Sequence, residues 1–187
     1  MDLKADSYKD NTSLLVLCKK GDHKAYENLY NLYVKAMLNI SFRIVNDKDE
    51  AEDIFQEAFL KSVKNIKNFE NETAYASWLK RVIINTSINF VRKKKIEFLT
   101  MEEAESVEDE EDKIDDLIYD INIIKACISE LPDGYRIILT LYLFEDYRHK
   151  DIATTLNISE GTSKSQYNRA KKKLIQLIKQ KVIRYEQ

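Results

Sequence analysis

The segment 159–172 is rich in side chains that can bind nucleic acid. If Ser163, Tyr167 and Ala170 face the interior of a helix, the opposite face presents small, amide and cationic residues. That face comprises Gly161, Thr162, Ser165, Asn168, Arg169 and Lys172, with Lys164 and Gln166 on its flanks. Such side chains read base edges or neutralise phosphates. The pattern predicts a DNA-contacting helix; the alternative is a solvated lysine face on an ordinary helix pair.

This helix needs a second helix to position it. Residues 148–156 and 159–183 are predicted to form two helices with a break between them. Asn157 tolerates a positive φ angle, and Ser159 is a preferred N-cap residue, so the second helix can leave the first at an angle. Two helices joined in this way, the second one polar, are typical of a helix-turn-helix.

A polar helix face is predicted within "EDIFQEAF". Asp53, Gln56, Glu57 and Lys61 recur at helical spacing and point one way. Ile54, Ala58 and Leu60 are expected to point elsewhere. A polar face of this kind fits an arginine-rich protein surface, and the alternative is a face exposed to water.

The segment "WLKRVIIN" carries an aromatic residue and an amide. Trp78 is expected in the core, because it shares an apolar stripe with other residues at helical period. The other members of that stripe are Val82, Ile83, Thr86 and Phe90. Asn85 differs, since its amide both donates and accepts and can therefore read the edge of a base.

Composition favours an all-α fold. The chain has 3 Gly and 1 Pro, too few turn-formers for a many-stranded sheet, and 44 % hydrophobic residues can fill a core. Helical spacing starts at Leu14 and breaks at Gly21-Asp22 and at Asn46-Asp47. A third helix is predicted in "DKDEAEDIFQEAFLKSVKNI", and a fourth starts at Asn71-Glu72. A later helix is expected to stop at Pro132.

Charge divides the chain into three parts. Residues 97–116 contain 11 acidic residues and one Lys, whereas residues 80–95 contain 6 basic residues and residues 161–184 contain 8, both without acid. The acidic stretch is typical of an extended tether. We therefore predict two small helical domains, residues 1–95 and 118–187, joined by a flexible acidic linker, residues 96–117.

Several functional classes are disfavoured by what the sequence contains. His23 and His149 are the only histidines, and neither belongs to a Glu-x-x-His pair of a helical metalloenzyme. No glycine-rich phosphate loop is present, so neither a cofactor, a metal nor an enzyme activity is expected. Cys18 and Cys127 lie in apolar runs and are expected to be buried thiols. The polar N-terminus and the lack of a membrane-length apolar run favour the cytoplasm.

Two sets of motifs resemble one known family. "YRHKDIATTLNISEGTSKSQYNRAKKKL", together with "ELPDGYRIILTLYLFE", resembles the C-terminal domain of extracytoplasmic-function (ECF) sigma factors. "NDKDEAEDIFQEAFLK" resembles the family's polymerase-binding helix. "FENETAYASWLKRVIINTSINFVRKK" resembles the helix that melts and reads the promoter −10 element. The likeness runs from Leu14 to Leu177 and implies a promoter-specificity subunit of RNA polymerase.

The resemblance implies roles for particular residues. Asp53, Gln56 and Glu57 would dock on the β′ clamp helices of core RNA polymerase, and the apolar surface of "YRIILTLYLF" would hold the β flap. Residues expected to contact the −10 element are Asn71, Lys80, Arg81, Asn85, Arg92 and Lys93. Residues expected to contact the −35 element are Thr162, Lys164, Ser165, Asn168, Arg169 and Lys172.

The chain also departs from the family pattern. Ser163 stands where an aliphatic residue is usual and is expected to bond to the carbonyl four residues back. Lys164 and Gln166 stand where arginine is usual, which weakens bidentate reading of guanine. The acidic linker is either a displaceable mimic of nucleic acid or a simple tether.

The resemblance further implies an anti-sigma factor as partner, beside core polymerase and promoter DNA. The alternative function is a stand-alone helix-turn-helix regulator with an N-terminal interaction domain. Such a regulator has no reason to carry "EDIFQEAF" and "WLKRVIIN".

Overall fold

The computed structural model describes residues 13–94 and 121–185, with side chains up to Val182. These residues form helices without any strand, which confirms the all-α prediction. In chain order the helices are α1 (Leu14–Lys19), α2 (His23–Val45), α3 (Lys48–Lys64), a 3₁₀ turn (Ile66–Asn68), α4 (Glu72–Lys93), α5 (Ile121–Ser129), α6 (Asp133–Leu143), α7 (His149–Leu156) and α8 (Glu160–Tyr185). None of these helices has the length and apolar character needed to span a bilayer.

Contacts divide the described residues into two compact units. The first consists of residues 13–42 and 47–86, and the second of residues 43–46, 87–94 and 121–185. The predicted acidic linker, residues 96–117, and both of its boundaries lie outside the described residues. The division into domains at residues 95 and 118 therefore stays a prediction.

The helix breaks of the first unit lie where the sequence places them. Gly21 has a φ of 84°, a left-handed conformation that glycine adopts without strain. Asp22 Oδ1 then accepts hydrogen bonds from the Lys24 and Ala25 amides at 2.9 and 3.1 Å, which caps α2. Asp47 caps α3 in the same manner through the amides of residues 49 and 50.

A group of aromatic rings packs together inside the first unit, alongside its aliphatic core residues. Tyr30 lies 5.2 Å from both Phe55 and Phe59, measured between ring centroids. Tyr75 is fully buried, and its hydroxyl lies 2.8 Å from Ser62 Oγ. Burial raises the pKa of Tyr75 to about 12, so this hydroxyl stays neutral at physiological pH.

The prediction of which α4 residues form the buried apolar stripe is largely wrong. Of its members only Ile83 is buried, whereas Trp78, Val82, Thr86 and Phe90 are half-buried. The inward face instead comprises Tyr75, Leu79, Ile83, Ile84, Ser87, Ile88 and Val91. The helix is apolar over a wide arc, so the periodicity alone does not fix which edge of that arc points inward.

The second unit packs around α8, which contacts α5, α6 and α7. Leu131, Leu139 and Ala170 form a buried cluster. Four partly buried residues pack against it: Tyr135, Tyr167, Leu174 and Leu177. Cys127 is a buried free thiol here, as Cys18 is in the first unit, which confirms the prediction for both cysteines.

Candidate nucleic-acid interface

The predicted helix pair of the second unit is present as α7 and α8. Asn157 adopts the left-handed conformation, with φ 54° and ψ 48°, and ends α7. Ser159 Oγ accepts a hydrogen bond from the Thr162 amide at 2.9 Å and thereby caps α8. Both local expectations, the positive φ and the serine N-cap, are confirmed.

Most of the predicted DNA-facing residues of α8 reach the surface. Lys164, Ser165 and Asn168 are exposed, whereas Thr162, Arg169 and Lys172 are half-buried. Gln166, expected on the flank, is only 8 % exposed and belongs to the interior side. The exposed and half-buried residues form one face of α8, which we call the recognition face.

An acidic residue modifies this face at its start. Lys164 Nζ lies 2.7 Å from the carboxylate of Glu160, one helical turn earlier. The hydrogen bond from Lys164 and its charge lower the pKa of Glu160 below its usual value. The carboxylate is thus ionised near neutral pH, and it offsets one of the cations available to phosphate.

The unusual Ser163 has a partner that the sequence did not reveal. Its side chain does not bond to the carbonyl four residues back; Ser163 Oγ lies 3.0 Å from His149 Nδ1 on α7. The His149 ring stacks on Tyr142 at 4.6 Å, and Tyr142 lies 4.4 Å from Tyr167. A hydroxyl facing the interior is therefore satisfied by an imidazole, which replaces the packing that an aliphatic residue would supply.

Apolar side chains are exposed where α6 ends. Tyr142, Leu143 and Phe144 are 37, 49 and 42 % exposed. Consecutive exposed apolar residues of this size are typical of a surface that binds another protein.

The first unit has an open pocket of about 450 Å³ beside the start of α4. Its lining residues are Asn65, Asn68, Phe69, Ala74 and Trp78. Trp78 was expected in the core, but it is half-buried, with its ring 5.2 Å from that of Phe69. An aromatic ring in the wall of an open pocket can stack on a planar ligand such as a base.

The exposed face of α4 continues from this pocket. Ala74, Trp78, Arg81 and Asn85 lie within about 60° of one another around the helix axis, given 100° per residue. The side chains of Arg81 and Asn85 are exposed. The stripe therefore places a small residue, an aromatic ring, a cation and an amide in succession.

Other residues expected to contact the −10 element lie elsewhere. Asn71 does not line the pocket; its Oδ1 accepts a hydrogen bond from the Ala74 amide at 2.8 Å and caps α4. Lys80 is half-buried on a different face of α4. Arg92 is half-buried and Lys93 exposed near the end of that helix.

Sequence reasoning missed two amides of the pocket. Asn65 Nδ2 donates to the Lys61 carbonyl at 2.8 Å, which leaves its oxygen directed to Asn68 at 3.5 Å. The available signal was an Asn-x-x-Asn spacing directly before Phe69, at the end of a helix.

The polar face predicted on α3 is present and includes one apolar residue. Asp53, Gln56 and Glu57 are exposed, and Glu57 pairs with Lys61 at 2.6 Å. Leu60, expected to point away from these residues, is 60 % exposed on the same face, so that expectation was wrong. Spacing explains the error, because residues 53, 56 and 60 follow the i, i+3, i+7 pattern of one helix face.

Comparison with known proteins gives these surfaces a context. Residues 29–96 match Sigma-70 region 2, and residues 121–174 match Sigma-70, region 4. The ECF RNA polymerase sigma factor SigW of Bacillus subtilis is 30% identical over 169 residues, covering 83% of this chain and 90% of that protein. The RNA polymerase sigma-H factor of Pseudomonas aeruginosa is 31% identical over 180 residues, covering 87% and 91%.

A solved structure has a similar fold. The sigma factor RpoE of Bartonella quintana, crystallised in complex with the anti-sigma factor NepR, aligns with a TM-score of 0.53 and 23% sequence identity. The alignment covers 83% of this chain and 98% of that one. The two matched regions, which follow one another along the chain, also set aside a stand-alone helix-turn-helix regulator, which lacks the first region. The chain belongs to the ECF sigma factors, the non-enzymatic subunits that act with RNA polymerase in transcription initiation.

Proposed function

We propose that this sigma factor opens and reads the −10 element with the pocket of its first unit and the stripe that continues from it. The observation that carries this proposal is the succession of Trp78, Arg81 and Asn85 along one exposed face of α4. An extruded base stacks on Trp78 or enters the pocket, Asn85 reads a base edge, and Arg81 holds phosphate. The adjoining Asn65 and Asn68 supply further amides for the same task.

The recognition face of α8 is the proposed contact with the −35 element. Asn168 and Arg169 have the side chains that bond bidentately to adenine and guanine, respectively, in the major groove. Thr162, Lys164, Ser165 and Lys172 position the helix on the phosphates. Before Lys164 can contact a phosphate, it has to give up or share its bond with Glu160.

Two further surfaces are proposed to bind core polymerase. On α3, Asp53, Gln56 and Glu57 surround the exposed Leu60, a combination that suits a protein partner better than water alone. This surface fits the β′ clamp helices. The exposed end of α6, formed by Tyr142, Leu143 and Phe144, fits the β flap.

A regulatory partner also belongs to the proposal. A sigma factor of similar fold was solved with an anti-sigma factor, which supports a partner of that class for this chain. Since promoters and polymerase are its targets, we place the protein in the cytoplasm.

The test is transcription by purified bacterial core polymerase from fragmented genomic DNA, with and without this chain. Asn85→Ala and Arg169→Ala each lower selective starts by about tenfold, the cost of losing one base-reading side chain, while core binding persists. The matched controls are Asn39→Ala and Lys35→Ala, an exposed amide and an exposed cation on α2. If each variant behaves like its control, the two residues do not read the promoter.

A further inference from the structure

The short helix α1 contacts the segment that shapes the pocket of the first unit. We call residues 65–71, between α3 and α4, the pocket loop. Lys19 Nζ donates a hydrogen bond to the carbonyl oxygen of Phe69 at 2.5 Å. At the other end of α1, the Glu72 carboxylate accepts a hydrogen bond from Ser13 Oγ at 2.8 Å and approaches the Leu15 amide at 3.4 Å. Polar contacts therefore connect both ends of α1 with the pocket loop and the first residue of α4.

These contacts rest on a helix that is itself well anchored. Leu15 is 1 % exposed and Cys18 is fully buried, so the inner side of α1 belongs to the core. Burial raises the pKa of Cys18 to about 11, and the thiol remains a neutral packing group. A helix fixed by its own core residues can restrain a loop, whereas a loose terminal segment could not.

Phe69 connects α1 with the wall of the pocket. Within the pocket loop, the Phe69 amide lies 3.5 Å from the Ile66 carbonyl, at the limit of a hydrogen bond. The Lys19 ammonium supplies a charge-assisted bond to the carbonyl of the same residue. The Phe69 ring in turn packs on Tyr75 and Trp78 at 5.2 Å. A shift of the Phe69 backbone would therefore displace a wall of the pocket.

We infer that α1 is a positioning element for the −10 pocket, with Lys19 as its principal positioning residue and the Ser13–Glu72 contact as its second attachment. Neither Lys19 nor Ser13 is proposed to contact DNA. Lys19 acts through Phe69, and Ser13 acts through the start of α4. The inference rests on the proposed function of the pocket. It adds that the precision of base reading depends on a helix outside the DNA-contacting surface.

The first arm of the test uses the free full-length protein and needs no promoter. Hydrogen exchange is measured at the Asn68 and Phe69 amides, and acrylamide quenching reports on Trp78, the one tryptophan of the chain. In Lys19→Met, exchange at the pocket loop becomes about fivefold faster, the effect of losing one hydrogen bond that opposes local opening. Ser13→Ala changes exchange in the same direction by a smaller factor.

Two control variants distinguish the loss of the bond between Lys19 and Phe69 from the loss of a positive charge. Lys20→Met removes the same charge from an exposed neighbouring position and leaves exchange at the pocket loop unchanged. Lys19→Arg keeps a cationic donor and restores slow exchange. Equal exchange in Lys19→Met and Lys20→Met would overturn the inference, whatever the protein does with DNA.

The second arm measures base selectivity with core polymerase and promoters randomised in the −10 element. Lys19→Met lowers the ratio between preferred and other bases by about fivefold, while Lys20→Met and Lys19→Arg retain it. Faster exchange with an unchanged ratio would overturn the role in base reading and leave the proposed function intact. No selective starts from the unsubstituted chain would overturn the proposed function itself.

Discussion

The two surfaces proposed to contact DNA differ in shape and in what holds them together. The pocket of the first unit is concave and takes its lining from the end of α3, the 3₁₀ turn and the start of α4. The recognition face of the second unit is convex and belongs to α8 alone. A concave site depends on the interior that holds its walls apart, whereas a convex face depends on local bonds along one helix. Substitutions should therefore affect the two surfaces differently.

The largest effect is expected from Phe69→Ala in the pocket wall. Phe69 is 8 % exposed and supports both Tyr75 and Trp78, so truncation lowers the free energy of unfolding of the first unit by about 3 kcal/mol. Urea denaturation followed by Trp78 fluorescence measures this loss. The control Leu60→Ala, at an exposed position, changes the same quantity by less than about 0.5 kcal/mol. A loss as small as that of the control would show that the pocket does not depend on its interior.

Leu60→Ala tests a convex surface of the first unit, the face of α3 that is proposed to bind core polymerase. Removing this exposed leucine weakens binding to core polymerase by about tenfold, or about 1.4 kcal/mol, without loss of stability. Titration of labelled protein with core polymerase measures the Kd. Leu32→Ala is the matched control, since Leu32 is 48 % exposed on α2 of the same unit. Comparable weakening by both variants would argue against a specific docking surface on α3.

Ser163→Ala tests whether the recognition face needs an anchor beneath it. The substitution leaves His149 Nδ1 without its partner and destabilises the packing of α7 on α8 by about 1 kcal/mol. Hydrogen exchange of the α8 amides becomes faster, while that of the pocket loop stays the same. Ser165→Ala, at an exposed serine of the same helix, serves as the control. Unchanged exchange in α8 would mean that the imidazole contributes nothing to holding the helix.

Glu160→Gln is expected to have the smallest effect, and in the favourable direction. It releases Lys164 and removes a negative charge near the phosphates, so duplex binding at low salt tightens by about twofold. The gain disappears at high salt, because both charges are exposed and screened. Fluorescence anisotropy across a salt series measures the affinity for the duplex. Glu27→Gln is the control, because it removes the same charge from the first unit. An equal gain in affinity in Glu27→Gln would show that net charge, and not the release of Lys164, causes the effect.

Much of the second surface could be predicted from the sequence, and less of the first. The helix break at Asn157, the cap at Ser159 and the polar face of α8 follow from residue types at fixed spacings within one segment. The pocket joins residues on either side of a turn, and no local pattern states that Asn65 and Trp78 will meet. Trp78 was misplaced because α4 is apolar over a wide arc, and tertiary packing of Tyr75 selected the inward edge.

The hydrogen-bond partner of Ser163 could not be predicted from the sequence for a different reason. A serine facing the interior indicates that a polar bond exists, but the sequence offers several acceptors and donors within reach. Only the packing of α7 on α8 selects His149. Similarly, the contact of Lys19 with Phe69 spans 50 positions of the chain, a separation that periodicity does not address.

The cluster of the Tyr142, His149 and Tyr167 rings has one more consequence. Tyr142 is exposed at the end of α6, while Tyr167 lies on the side of α8 that is turned away from the recognition face. In the proposed complex, a protein binds at Tyr142 and a duplex binds on α8, so the three rings lie between the two partners. Their centroids are 4.4 to 5.7 Å apart, so enlarging or trimming one ring shifts the end of α6 relative to α8 and thereby changes how polymerase is held relative to the promoter.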